Sequence, residues 1–313
     1  GAIPALVGPG DVIYSDSLSH ASLIDGCRLS KATIRVFPHA DVEALAAMLE
    51  ADRHDFRRAL IVVEGIFSMD GDLFPLDQLV PLARRYDAWT YVDDAHGTGV
   101  LGATGAGSVE HFGVTGQIDV IVGTQLVTKG FHFPELTFVG VVDADMGLDG
   151  GDLRAAERTY QQIAQVAGRA GRGELLGEVV VQSFTPHHPA IQFARQHDFE
   201  GFSEQELEFR RQCGYPPYGH AVLVTVRSER ENLADFALKT LHAKLVKVFP
   251  PEILLGEPAP SPLVKSHDQY RFQILARARQ AKQITEPLMQ CLADLKMPKE
   301  VIVTVDVDPV NLG

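Results

Sequence analysis

Short apolar segments alternate with helical patterns through residues 11–123, and this alternation constrains the fold more than any other feature. Strands are predicted at Asp11–Asp16, Ala32–Phe37, Ala59–Val63, Trp89–Val92 and 117–122. Helices are predicted at Ala21–Gly26, after the capping residue Asp41, and at Leu76–Tyr86, where apolar residues recur at helical spacing. Largely apolar strands that alternate with helices favour a parallel sheet covered by helices on both faces.

Polar residues follow several of these strands directly. In open parallel sheets, ligands bind beyond the carboxyl ends of the strands. Taken singly, each residue is typical of a turn or a helix cap. The residues that would lie together at this edge are Asp16, Ser17, His20, Glu64, Ser68, Asp93 and His96.

Three segments in this region, Asp16–Ser22, Glu64–Asp72 and Asp93–Gly99, together resemble the α-oxoamine synthases, a family of pyridoxal-phosphate enzymes. The resemblance covers Gly1 to about Thr124 and follows the family's motif order. It implies that His20 stacks on the cofactor ring and that Asp93 faces the pyridinium nitrogen. It further implies that His96 hydrogen-bonds the ring hydroxyl, while Glu64 and Ser68 line the pocket. A carboxylate facing the ring nitrogen keeps the ring protonated and able to absorb carbanion charge.

The same resemblance fails at the lysine to which the family attaches its cofactor. In the synthases, the strand ending Gly-Thr is followed by x-Ser-Lys, whereas here Lys129 comes two residues later. Two residues displace the amine by up to roughly 7 Å along an extended chain. The family's phosphate-binding segment would precede Gly1, and its C-terminal domain is missing. We therefore expect no synthase turnover, no required cofactor, and weak pyridoxal-phosphate binding at best.

From Val122 onward the sequence resembles a different family, the PriA-type replication-restart helicases, in their second motor lobe. The segments 123–134 and 165–172 carry this resemblance. It implies that Arg169 and Arg172 are arginine fingers, which steady the γ-phosphate of ATP in the transition state. The first lobe is missing, and the sequence contains no G-x-x-x-x-G-K-[ST] phosphate loop. We therefore interpret both arginines as vestigial; a solvated helix end is the alternative.

Val92–His96 suggests a second helicase feature, because an apolar strand followed by acid-acid-Ala-His resembles a helicase magnesium motif. The second acid is Asp94, where helicases use Glu. With no phosphate loop to accompany it, we reject this interpretation.

The C-terminal third has the predicted order β-α-β-β-α-β, which is typical of a split βαβ sandwich. Strands are expected at Ala221–Arg227, Ile253–Leu255, Tyr270–Ala276 and Val301–Val307, helices at Glu231–Val248 and Gln280–Leu295, and a Pro-rich loop up to Pro262. The segment resembles the PriA C-terminal domain, which in the family contacts DNA and single-stranded-DNA-binding protein. We therefore expect weak binding of either partner. The residues that could form a basic patch for it are Lys265, Arg271, Arg277, Arg279 and Lys282. The alternative is that the same residues form only a solvated charged face.

Composition limits the remaining classes of function. The net charge is −13, and up to Val122 there are 8 basic against 17 acidic residues, so the first segment is a poor candidate for gripping phosphate backbones. Cys27, Cys213 and Cys291 form no CxxC pair, which predicts neither a metal site nor a disulfide and fits the cytoplasm. No apolar run approaches the length of a membrane span.

The predicted fold is α/β, with a doubly wound, mostly parallel sheet that is a hybrid of a pyridoxal-phosphate-transferase large domain and a RecA-like helicase lobe. A small α+β split βαβ domain follows. The predicted division is 1–123, 124–200 and 201–313, with the first two parts sharing one sheet. The leading hypothesis is an engineered or recombined chimera without complete catalytic activity. The alternatives are a residual pyridoxal-phosphate binder and a DNA- or partner-binding fragment, and the synthase resemblance implies a homodimer.

Overall fold

The computed structural model describes residues 1–124, 136–148, 152–168 and 177–311. The chain divides into two compact units, Gly1–Val139 with Gln165–Val180 and Gly140–Ala164 with Val181–Gly313. The elements of the first part of the chain are α1 (Ile3–Leu6), β1 (Val12–Asp16), α2 (Ala21–Ser30), β2 (Thr33–Phe37), α3 (Val42–Asp52), β3 (Ala59–Glu64), α4 (Leu76–Arg85), β4 (Trp89–Asp93), α5 (Ser108–His111) and β5 (Val120–Val122).

A five-stranded, wholly parallel sheet with the order β2-β1-β3-β4-β5 forms the centre of the first unit. The order reverses between β1 and β3, so the sheet is doubly wound as predicted. Successive side chains of a strand point to opposite faces, and in the central strands β1 and β3 both faces are buried. Ile61 of β3 packs with Leu45 of α3 and Leu79 of α4, whereas Leu60 packs with Leu23 of α2. Helices therefore cover the sheet on both sides.

The expected sharing of one sheet by both halves of the chain is wrong for the strands that the structure describes. The strands β6 (Phe138–Val141) and β7 (Glu178–Val181) pair with each other in a separate two-stranded sheet. Each alternates exposed and half-buried residues, whereas β1 and β3 are buried along their whole length. Strands with one solvated face do not suit the interior of a doubly covered sheet, where side chains on both faces are buried.

The helices after the first sheet are α6 (Ala155–Ala167), α7 (Pro189–Gln196) and α8 (Phe199–Cys213). The C-terminal elements are β8 (His220–Ser228), α9 (Glu231–Val248), β9 (Leu254–Leu255), β10 (Ala259–Ser266), β11 (Gln269–Ala278), α10 (Ala281–Asp294) and β12 (Ile302–Val307). Their antiparallel sheet has the order β10-β11-β8-β12. Leu241 of α9 and Leu288 of α10 pack with Val224 of β8, so both helices cover the same face. The α+β prediction is confirmed.

The last part of the predicted Pro-rich loop, from Ala259 to Pro262, is in fact the beginning of the edge strand β10. Pro260 and Pro262 both lie in it, and the pairing with β11 is interrupted by a shift in register between Pro260 and Lys265. Proline cannot donate a ladder hydrogen bond, but an edge strand with a bulge tolerates this loss. Over the described ranges, none of the helices combines the length and the apolar character that a bilayer crossing requires.

Candidate functional site

The strand order of the first sheet reverses between β1 and β3, and open parallel sheets bind ligands in the crevice at such a point. His20 follows β1 and Glu64 ends β3. The His20 backbone N–H donates to Glu64 Oε1 over 2.5 Å. The structure thus places two of the predicted residues in contact at the position where open parallel sheets bind ligands.

Glu64 is buried, with 3% exposure. Burial raises the pKa of its carboxyl, and the neighbouring Asp93 charge raises that pKa further. The His20 backbone N–H and the imidazoles of His20 and His96 oppose this shift without cancelling it. Glu64 therefore lies within the electrostatic reach of Asp93, His20 and His96, and a cation in the crevice would favour its charged form.

Asp93 ends β4 directly beside Glu64, its partner in the parallel register. The Gly65 N–H donates to the Asp93 carbonyl over 2.8 Å, and the Ala95 N–H donates to Asp93 Oδ1 over 3.1 Å. The half-buried carboxylate is thereby fixed at the edge of the sheet. Two adjacent carboxyls make this edge suited to a cationic group.

The other predicted cofactor residues are exposed. His20 caps α2, since its Nδ1 accepts the Ser22 N–H over 3.3 Å. Ser22 Oγ lies 2.9 Å from the same nitrogen and restrains the orientation of the ring. His96 and Ser68 are solvent-exposed, and Ser68 lies in the loop between β3 and α4. Their individual roles toward a cofactor stay predictions.

Asp94, considered in the sequence only as a helicase motif residue, is fully buried and supports the loop after β4. Its Oδ2 accepts the Thr98 hydroxyl over 2.9 Å and the Ser108 N–H over 3.2 Å. Burial raises the pKa of the Asp94 carboxyl, while these hydrogen bonds act in the opposite direction. A Cβ on Gly97 or Gly107 would come within 2.2 Å or 1.9 Å of its oxygens. The glycine-rich segment after Asp94 was the available sequence signal for this role.

Three predicted residues, Lys129, Arg169 and Arg172, lie outside the described residues. The structure gives the positions of the predicted carboxylates and imidazoles, and their roles stay predictions, as do those of the lysine and the arginines. Within the described part of the chain, no group of three or more His, Cys, Asp or Glu residues is placed to hold a metal ion.

The proposed C-terminal basic patch is partly engaged in internal contacts. Arg277 donates to the Cys213 carbonyl over 2.7 Å and lies over the Tyr215 ring. Lys265 pairs with Asp268 at 3.4 Å. Arg271 lies beside Arg227, its register partner on β8, which is not among the residues of the predicted patch. These two arginines give the sheet two neighbouring positive charges.

Known proteins match the two parts of the chain separately, in agreement with the two resemblances seen in the sequence. Residues 1–131 match the family model Aminotransferase class I and II, and residues 211–310 match Primosomal protein N C-terminal domain. The N-terminal part is 54% identical over 131 residues to the 8-amino-7-oxononanoate synthase of Coprothermobacter proteolyticus, covering 42% of this chain and 33% of the relative. A second match, the Replication restart protein PriA of Bacillus subtilis, is 38% identical over 198 residues, covering 62% of this chain and 24% of the relative.

These matches are consistent with a chimera: about 130 N-terminal residues match the synthases, and the C-terminal region matches PriA. The chain spans about a third of the length of its synthase relatives and about a quarter of that of its PriA relatives. Among solved structures, a serine palmitoyltransferase from S. paucimobilis with a bound PLP–myriocin aldimine is 41% identical. The match covers 40% of this chain and 32% of the serine palmitoyltransferase chain, with a TM-score of 0.38.

Proposed function

We propose that this chain is a recombined or engineered α/β protein that lacks the complete activity of either source. The observation that supports this proposal is that several residues of a synthase-like site lie together, whereas the lysine that the synthase reaction requires is displaced. Glu64, Asp93 and the His20 amide are assembled at the switch point. The attachment lysine of the synthase motif, in contrast, is displaced to Lys129. Covalent catalysis requires placement on the atomic scale, which a shift of two residues does not preserve.

The helicase half is proposed to lack ATP hydrolysis for a parallel reason. Arginine fingers act only on a nucleotide held by a phosphate-binding loop. The 313 residues contain Arg169 and Arg172 but no such loop. A RecA-like lobe formed by this region would therefore have no ATP to contact within this chain. Steady ATP hydrolysis or acyl transfer by the purified protein would contradict the proposal.

A second candidate function, residual pyridoxal-phosphate binding, is favoured by the geometry at the carboxyl edge. Asp93 is a fixed, half-buried carboxylate, so it suits a protonated ring nitrogen, and the adjacent Glu64 is a second acidic group. In this proposal Asp93 holds the ring nitrogen, and His20 and His96 bind the ring. When bound, the cofactor supplies an electron sink for carbanion charge. The carboxylates and imidazoles at this edge are groups that suit such a ring.

Pyridoxal-phosphate titration, followed by absorbance and by calorimetry, tests this second candidate. We expect weak binding that Asp93→Asn reduces roughly 10-fold or more, because a hydrogen bond to a charged partner is worth about 1.5–3 kcal/mol. Asp87→Asn is the matched control, since the Asp87 side chain is 99% exposed. An absorbance change that persists in Lys129→Ala would show that this lysine is not the attachment point. Equal affinities for the Asp93→Asn and Asp87→Asn variants would refute the assigned site.

DNA or partner binding by the C-terminal region is a further alternative, and the adjacent Arg227 and Arg271 favour it. Removing one side chain that neutralises a phosphate should flatten the dependence of log K on log salt by roughly 0.7 for a single strand. We therefore expect Arg227→Gln and Arg271→Gln each to weaken binding of an oligothymidylate and to flatten that slope. Arg28→Gln, a change at a side chain that is 71% exposed in the acidic N-terminal part, should leave both unchanged. Absence of binding at low salt would eliminate this alternative.

A further inference from the structure

His39, which is not among the predicted site residues, lies in a tight turn between β2 and α3. The turn is closed by the Asp41 N–H, which donates to the Pro38 carbonyl over 3.1 Å. The Ala40 N–H donates to Asp16 Oδ2 over 2.8 Å, with Ala40 at a φ of 50°. This contact places His39 Nδ1 at 3.0 Å from Asp16 Oδ1, and the Asp16 side chain is fully buried.

The other ring nitrogen contacts a second carboxylate. His39 Nε2 lies 3.3 Å from Asp72 Oδ2, and the Asp72 side chain is 59% exposed. Asp72 belongs to the loop 66–73 between β3 and α4. Within this loop the Phe67 N–H donates to the Asp72 carbonyl, and the Gly71 N–H donates to the Phe67 carbonyl. The imidazole also packs edge-on against the Phe67 ring, at 4.4 Å between centroids.

Both contacts of His39 require a donor on the imidazole, because an ionised carboxylate only accepts hydrogen bonds. A neutral imidazole has one N–H, whereas the protonated ring has two. Burial alone would lower the pKa of His39, but the hydrogen bonds and charges of Asp16 and Asp72 outweigh it and raise that pKa. The charged groups that act on the ring are Asp16, at the end of β1, and Asp72, in the loop.

We infer that His39 is a pH-dependent positioning residue, which in its protonated form clamps the loop 66–73 to the carboxyl end of β1. The loop bears Ser68 at its exposed tip, so the clamp fixes where this hydroxyl lies relative to the edge of the sheet. The stabilisation is fully present below about pH 6.5, the ordinary pKa of histidine. It is lost as the pH rises through the raised pKa of His39 in the folded protein.

An effect of His39 on ligand binding rests on the proposed pyridoxal-phosphate site. The contact of His39 with the loop 66–73, which we call the clamp, does not depend on that site. Loop 66–73 follows β3, the strand that ends in Glu64. If the cofactor binds at this edge, its affinity should fall with rising pH when His39 is present and lose this component in His39→Gln. The clamp can be measured without any ligand.

Hydrogen exchange of the loop, corrected for intrinsic exchange rates, tests the clamp between pH 5.5 and 8.5. Because Asp72 is exposed, its pair with His39 contributes modestly, and loop opening in the unaltered protein should increase roughly 1.4- to fivefold across this range. His39→Gln and Asp72→Asn should open the loop at pH 5.5 and remove the pH dependence. His54→Gln is the control, because His54 pairs with Asp55 where both side chains are exposed. Its loop should behave as in the unaltered protein.

Direct titration of the histidines by NMR separates a charge effect from a packing effect. The His39 resonance should titrate above the ordinary pKa of histidine, and Asp72→Asn should move its titration to lower pH. A loop whose protection does not change with pH, or an Asp72→Asn variant with the unaltered His39 titration, would overturn the inference. A pH-dependent loop in a protein that binds no pyridoxal phosphate would instead retain the clamp and reject the cofactor site.

Discussion

Replacing Gly107 by alanine should destabilise the five-stranded unit by about 3–5 kcal/mol, from backbone strain and from a disrupted buried carboxylate. Gly107 has φ 91° and ψ −162°, a conformation that is essentially restricted to glycine. A Cβ there would lie 1.9 Å from Asp94 Oδ2, which accepts hydrogen bonds from Thr98 and Ser108. The backbone or the buried carboxylate must move, and either movement breaks these bonds.

Gly113→Ala separates the two causes of this destabilisation. Gly113 also has a positive φ, 69°, but a Cβ there would meet nothing within 4 Å. It therefore tests backbone strain alone, for which we expect a loss of about 1–2 kcal/mol. The measurement is urea unfolding followed by the fluorescence of Trp89, the only tryptophan, which lies in β4. Equal losses for the two variants would show that the Asp94 contacts contribute nothing.

Local sequence signals predicted the elements whose causes are local. Asp41 caps α3 as expected, accepting the Ala44 N–H over 2.8 Å, and helix α9 has the predicted bounds Glu231–Val248. Apolar spacing and a capping side chain lie within a few residues of the structure they determine. Such signals therefore located all five parallel strands, although β5 is shorter than predicted and comprises only Val120–Val122.

Contacts between residues distant in sequence could not be predicted in this way. His39 meets Asp16 and Asp72 across 23 and 33 residues, and no local pattern connects them. The sequence pattern predicted only that the candidate residues lie at the carboxyl ends of strands. It could not show that Glu64 accepts the His20 amide, or that Asp94 is buried and supports a loop while its neighbour Asp93 is only half-buried. These distinctions depend on side-chain direction and burial.

Phe236 illustrates a predictable error of a different kind. The sequence spacing of Leu233, Phe236, Ala237, Leu241 and Leu245 predicts that all five lie on the apolar side of α9, yet Phe236 is 68% exposed. At about 100° per residue, Phe236 lies nearly opposite the centre of the stripe that Ala237, Leu241 and Leu245 define. The helical angle decides burial here, and residue type does not.

Leu241→Ala should therefore destabilise the C-terminal sheet and its helices by about 2–5 kcal/mol, because truncating a buried leucine removes its packing and leaves a cavity. Leu241 has no exposed surface and packs among Val222, Val224, Ile284 and Leu288. Phe236→Ala, on the same helix, removes a larger side chain from solvent-exposed surface and should change the free energy of unfolding by no more than about 0.5 kcal/mol.

Hydrogen exchange of the β8 amides measures how each variant changes the stability of the C-terminal sheet. In Leu241→Ala the slowest of these amides should exchange faster by the factor that corresponds to the decrease in stability, about tenfold per 1.4 kcal/mol. In Phe236→Ala they should keep their protection. The opposite order, with the larger decrease in Phe236→Ala, would mean that α9 packs against the sheet through a different face. That outcome would also remove the basis for placing α9 and α10 on the same side of the C-terminal sheet.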